Sequence, residues 1–271
     1  MNKVTYLFAL LIISACQKEK SNTIPCYLKI DAITLGENNT TTNITDAWVY
    51  IDDQLQGVYE LPANFPVLAV GEHKLRIKAG IKSNGIASSR IAYPFFASFI
   101  NTVIFIPDTT ITINPIVSYL EGAHFWLEDF EGAGVDLETT LISDTTLLEF
   151  TDSLGNQYGG GVLDDLLMTF EIATDELLDL PQAGSPVFLE LDYKSNTQFL
   201  VGVYVNYPQS VVQKDLLWIN PKQDWSKIYI NLTQSISEGI NATSFKVFIG
   251  MKRDFGLDKN ELYFDNVKVV Y

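Results

Sequence analysis

The 271-residue chain carries 18 Lys and Arg against 33 Asp and Glu, a net charge of −15 with a pI near 4.4. That balance excludes nucleic-acid binding, because neutralising phosphates needs a basic surface. Hydrophobic residues make up 47% of the chain, ample for a large core, while two cysteines and two histidines provide neither a disulfide framework nor a zinc-binding histidine pair.

The chain starts with Asn2 and Lys3, continues with an apolar run from Val4 to Ile13, and reaches Ile13-Ser14-Ala15-Cys16. Roughly ten to twelve apolar residues fall short of the twenty or so that a bilayer span needs, and small residues before a cleavage point mark a processed segment. This ending resembles the lipobox of bacterial lipoproteins. The resemblance implies that residues 1–15 are a signal peptide and that Cys16 carries a diacylglyceryl anchor; an ordinary secretory signal with an incidental Cys16 is the alternative. Residues 16–26 then form the lipidated cysteine and a polar tether. With Cys16 acylated, Cys26 has no partner in the chain and reads as a small buried hydrophobe, a reactive thiol being the alternative.

Beyond the tether, short alternating runs rich in β-branched and aromatic residues recur between turn signals, and no long stretch keeps helical spacing, so the chain reads as all-β. Residues 27–117 form one unit, with strands expected near Tyr27–Leu35, Ala47–Ile51, Leu55–Leu61, His73–Ala79, Phe99–Ile106 and Ile111–Val117. In the fourth of these, Leu75, Ile77 and Ala79 should face the core, and Lys74, Arg76 and Lys78 the solvent. A hairpin turns at Asp52-Asp53-Gln54, and Asn84-Gly85 suits a turn with positive φ. The unit resembles small Greek-key β-sandwiches of the PEGA and transthyretin-like kind.

Around Ser118–Gly122 the pattern restarts, and residues 122–271 form the second unit. It opens with Phe125-Trp-Leu-Glu-Asp-Phe-Glu131 and closes with Glu261-Leu-Tyr-Phe-Asp-Asn-Val-Lys-Val-Val-Tyr271. Those ends resemble the jelly-roll, galactose-binding-like domains found in carbohydrate-binding modules. The complete layout resembles surface lipoproteins of Bacteroidetes, which implies an outer-membrane or cell-surface location.

For catalysis the inventory is poor. His73 and His124 fall in strands, no nucleophile elbow occurs, and Glu190-Leu-Asp192, similar to the start of the laminarinase-like Glu-X-Asp-X-X-Glu strand, lacks the final glutamate. A non-enzyme is expected, with a jelly-roll glycosidase as the remote alternative. No cofactor is required. The jelly-roll resemblance places a structural calcium at Glu131 and Asp265; alternatively, Asp265 caps a turn or pairs with a base while Glu131 is solvated. Sugar rings stack on apolar planes while their hydroxyls need polar partners. Tyr158, Tyr204 and Tyr207 are the candidate ligand-binding aromatics, whereas Trp225 sits where related domains bury an aromatic. Gly159-Gly-Gly161 reads as a bulge or flexible turn, or as a close backbone approach to a ligand. Two roles remain open: an accessory or structural subunit of an outer-membrane assembly, docking on a membrane protein, or a lipoprotein that binds polysaccharide.

Overall fold

In a computed structural model, residues 24–36 and 41–271 are described. Cys16, residues 1–15 and most of the tether lie outside them. Regular structure among the described residues is almost entirely strand, with one short helix, α1 (Thr233–Ser237). No helix there is long and apolar enough to cross a membrane.

The first half of the chain forms β1 (Cys26–Ile30), β2 (Thr34–Leu35), β3 (Asp46–Ile51), β4 (Gln54–Glu60), β5 (Ala63–Val67), β6 (Gly71–Lys82), β7 (Arg90–Ala92), β8 (Phe99–Phe105), β9 (Thr110–Thr112) and β10 (Ile116–Val117). One sheet has the order β4-β3-β6-β7, with β8 also on β6; the facing strands run β5-β1-β9, and β10 pairs with β2. Leu75, Ile77 and Ala79 are buried while Lys74 is exposed and Arg76 and Lys78 are half-buried, the alternation of a sheet wet on one face. The β3–β4 hairpin turns where expected, with Asp52 and Asp53 both at positive φ, the geometry that matches strand twist. Asn84 and Gly85 also take positive φ.

Two expected strands are each broken in two. The run from Tyr27 stops after Ile30, where the Asn114 side-chain oxygen accepts the N–H groups of Asp31 and Ala32. Across from it, Pro115, which has no N–H to give, separates β9 from β10. Both fragments of one run pair in parallel with both fragments of the other. Strand β5 contains Pro66 and pairs only with β1, an edge position where proline is tolerated. Cys26 is free and fully buried, as a small hydrophobe should be.

The second half supplies β11 (Phe125–Glu128), β12 (Leu137–Thr139), β13 (Leu148–Thr151), β14 (Gln157–Leu163), β15 (Thr169–Thr174), β16 (Phe188–Ser195), β17 (Phe199–Tyr207), β18 (Ser210–Ile219), β19 (Lys222–Asn231), β20 (Ser244–Lys252) and β21 (Asn260–Val270). They make a jelly-roll β-sandwich of two antiparallel sheets, β13-β14-β21-β16-β19 with β11 on β21, and β12-β15-β20-β17-β18. Leu189 and Leu191 from one sheet meet Val201, Val203 and Ile249 from the other in the core. The glycine run is an ordinary part of β14, neither bulge nor loop. A Cβ on Gly161 would stand 2.5 Å from the Phe170 ring, and one on Gly159 2.3 Å from Phe130, so those positions are small because aromatic rings lie flat on the strand.

The outer face of β16, β19 and β21 is covered at one end by the first unit. Phe188, Tyr229 and Val270 belong to the same buried cluster as Tyr93, Phe95 and Phe96. Asn84 donates its N–H to the Tyr229 carbonyl at 2.8 Å, and its side-chain oxygen accepts the N–H of Asn231 at 2.8 Å, tying a first-unit turn to β19. Beyond this covered end, the sheet face opens into a cavity.

Candidate functional site

Successive rows on the outer face of the sheet build the junction and the cavity. Phe188 lies opposite Asn231 and Val270; Glu190 lies opposite Tyr229 and Lys268; Asp192 lies opposite Lys227 and Asp265. The register between β16 and β21 slips by one residue between Glu190 and Asp192, where Asn266 adopts φ +49°. A bulge of this kind re-aims side chains. Here it turns Asp265 and Asn266 towards Asp192, whose Oδ2 accepts from the Asn266 amide at 3.0 Å.

Glu190 is fully buried. Its carboxylate accepts hydrogen bonds from the Tyr93 hydroxyl at 2.7 Å and from the Tyr119 hydroxyl at 2.8 and 2.9 Å, and faces Lys227 Nζ at 3.6 Å. Lys227 also stands 3.7 Å from Asp192 and donates to Thr41 at 3.3 Å, and Thr41 in turn donates to Asp192. Burial and the Glu190 charge push the Tyr93 and Tyr229 hydroxyls well up, so both stay neutral: Tyr93 donates to Glu190, and Tyr229 accepts the Asn43 N–H at 3.2 Å. The Glu190-Leu-Asp192 pair that drew attention as a glycosidase remnant is therefore a structural clasp at its first member: Glu190 is enclosed between the units.

The cavity beyond has a volume of about 860 Å³ and is lined by Thr41 and Thr42 from the first unit, and from the second by Asp129, Glu131, Asp152, Asn156, Tyr158, Asp192, Trp225, Ser226, Lys227, Asp265 and Asn266. Local folding holds each wall. Asp152 caps the β13–β14 loop, taking the N–H groups of Leu154 and Asn156 and the Asn156 side-chain amide, and these bonds, the side-chain one foremost, hold its carboxyl below the usual range. Glu131 accepts the Gln157 N–H at 2.8 Å, and Asp129 that of Glu131 at 3.2 Å. Tyr158 and Trp225 meet edge to face, 5.3 Å apart and at 83°. Five carboxylates thus surround a space in which, among the described residues, Lys227 is the single lining cation. Asp265 registers the crowding: burial first, then the charges of Asp192, Asp129 and Glu131, raise its carboxyl to about 7, against the pull of the Asn266 N–H.

No family model matches this chain, and no curated protein matches it. Solved structures similar to it include carbohydrate-binding modules. One, from a study of promiscuous specificity in the β-sandwich superfamily of such modules, is 14% identical with a TM-score of 0.40, over 91% of this chain and 98% of that one. The family 11 module of a Clostridium thermocellum cellulosomal cellulase is 12% identical with a TM-score of 0.38, over 55% of this chain and 94% of that one. The module pair of Clostridium thermocellum endo-1,4-β-D-xylanase 10B, solved with xylohexaose, is 13% identical with a TM-score of 0.40, over 53% of this chain; the match spans only 28% of that structure. What each of these binds is a property of that protein.

Of the residues singled out in the sequence, the fold brings Glu131, Asp265 and Tyr158 to one cavity and leaves Tyr204 and Tyr207 elsewhere. Tyr204 lies on the other sheet, over Phe248 at 4.9 Å, and donates to the buried Glu171 at 2.6 Å. Tyr207 packs against the sandwich core. Trp225 departs from its expected buried place: it is 45% exposed, because β19 ends the sheet and its outward residues before Lys227 extend past the first unit's cover. Sequence reading missed Asp129, Asp152, Asn156, Asp192, Asn266 and Thr41 as a set, since they come from separate segments that only the fold assembles. The Asp-Ser-Leu-Gly turn before Tyr158 was the one local signal for a capped wall.

Proposed function

We propose that the protein binds a glycan in this cavity, does no covalent chemistry, and is held at the cell surface by a lipid on Cys16. The observation that carries the reading is the cavity itself: its lining sets the aromatic rings of Tyr158 and the half-exposed Trp225 beside carboxylates and amides. Sugars need that combination, an aromatic plane for the ring and close acceptors for the hydroxyls. A built, concave polar site favours this role over the accessory-subunit role, which asks only for an interaction surface. Asp129, Glu131, Asp152, Asp192 and Asp265 together repel anionic polysaccharides, so neutral or amine-bearing glycans fit the charge.

Glu131 and Asp265 each commit one carboxylate oxygen to a backbone N–H. The described residues gather no three His, Cys, Asp or Glu side chains about one point. A calcium ion there would take most of its six to eight oxygens from backbone carbonyls, water or sugar hydroxyls.

The test is a glycan array followed by titration calorimetry on the full-length protein, with Tyr158→Ala and Trp225→Ala alongside. Binding that weakens about tenfold or more in each variant, at unchanged melting temperature, is the expected result. Binding of no glycan, or wild-type binding by both variants, overturns the proposal.

A further inference from the structure

The end of the first unit where the chain enters from its N-terminus is apolar, and three segments converge there. Cys26 is opposite Val67, which sets Leu68 beside Pro25; Gly71 is opposite Phe105, which sets Val70 beside Ile106; and Asp108 donates its N–H to the Pro25 carbonyl at 3.0 Å. Ile24, Leu68, Val70, Ile104 and Ile106 project from these segments and are each more than half exposed. Scattered surface hydrophobes are normal, but a contiguous apolar rim marks a contact.

What covers the rim follows from the chain that leads to it. Cys16 is eight residues before Ile24, a reach of at most about 28 Å when fully extended. A lipid on Cys16 therefore holds this end of the molecule, rather than the sandwich that bears the cavity, against the bilayer. The charges beside the rim are Glu72, Asp108 and the His73–Asp52 pair, whose His73 ring meets the Val70 carbonyl at 3.2 Å; with His73 protonated they still sum to a negative charge, so attraction to anionic headgroups is not what seats it. We propose that this rim rests on the membrane as an apolar footing: Ile24, Leu68, Val70, Ile104 and Ile106 enter the interfacial layer of a zwitterionic bilayer and set the protein upright on its anchor. Apolar side chains inserted a few ångströms into the headgroup boundary act in this way on amphipathic helices; here strand ends present them. The proposal rests on the reading of Cys16 as the anchor.

The experiment uses full-length, natively processed protein in phosphatidylcholine–phosphatidylethanolamine vesicles. Bimane is placed on Leu68→Cys or, as a control on the second unit, on Leu166→Cys; Leu166 is exposed and Cys26 is buried away from the label. Flotation reports the anchor, and quenching by lipids brominated near the headgroup reports the footing. The expected result is co-flotation of both proteins, with quenching at position 68 about threefold or more above that at 166, and unchanged by about 0.5 M salt, as a contact that is not electrostatic requires. Equal quenching at the two positions in floated protein overturns the footing and leaves the anchor standing. Protein that does not float at all overturns both.

Discussion

Replacing Asp265 with Asn removes a charge and keeps the shape, including an oxygen for the Asn266 N–H that Asp265 now accepts at 2.6 Å. In the folded protein this carboxyl titrates at about 7 instead of 3.8, so between those values the native state holds a proton that the unfolded chain has lost. Stability tied to this group is complete below pH 3.8 and declines as pH rises through 7. A displacement of that size has a ceiling of about 4 kcal/mol, at about 1.4 kcal/mol per pH unit. Asp265 is only half-buried, and solvent screening lowers the figure to about 2 kcal/mol. Urea denaturation of wild type and Asp265→Asn at about pH 4 and pH 8 reads the effect. The variant should match wild type at the acid value and exceed it by about 2 kcal/mol at the alkaline one. Millimolar calcium should raise only the wild type at alkaline pH if Glu131 and Asp265 hold the ion. A variant no more stable than wild type under those alkaline conditions would refute the account of a crowded carboxylate.

Three further outcomes are expected. Tyr119→Phe removes hydroxyl bonds to both oxygens of the buried Glu190, and chemical denaturation should show a loss of about 1–3 kcal/mol. Gly202→Ala drives a Cβ to 2.4 Å from the Lys214 carbonyl and 2.3 Å from the Phe248 ring, where the backbone cannot yield; a loss of about 1–3 kcal/mol and a lower melting temperature should follow. The His73 ring is 2.6 Å from the Asp52 carboxylate, and that hydrogen bond raises its pKa from 6.5. Its contribution to stability is complete below pH 6.5 and is lost as pH rises through the raised value; NMR titration should place the His73 midpoint above 6.5 and return it towards 6.5 in Asp52→Asn.

Local pattern carried the architecture where a sheet is wet on one side. The alternation through Leu75, Ile77 and Ala79, and the turns at Asp52-Asp53 and Asn84-Gly85, are written in adjacent residues and could be read there. The breaks after Ile30 and at Pro115 were less legible, because Asn114 interrupts a strand more than eighty residues away from itself. The cavity was legible only in part. Glu131, Asp265 and Tyr158 stood out through resemblance and residue type, while the one-residue slip in β21 that turns Asp265 towards Asp192 leaves no mark in composition or period. Trp225 was misplaced for a related reason: its exposure depends on how far a different unit extends over β19.

The clasp at Glu190 has a consequence for how this chain can be cut and recombined. A fragment beginning near residue 122 would bare Phe188, Tyr229 and Val270 to water and strand Glu190 without its two tyrosines. Glu190 itself would keep Lys227 at 3.6 Å and gain water, so the cost of the cut is the bared apolar patch, which invites association in the fragment. The jelly roll of this protein is thus no interchangeable cassette: evolution or an engineer who transplants it must bring a cover for Phe188, Tyr229 and Val270 along, or replace them with polar side chains first.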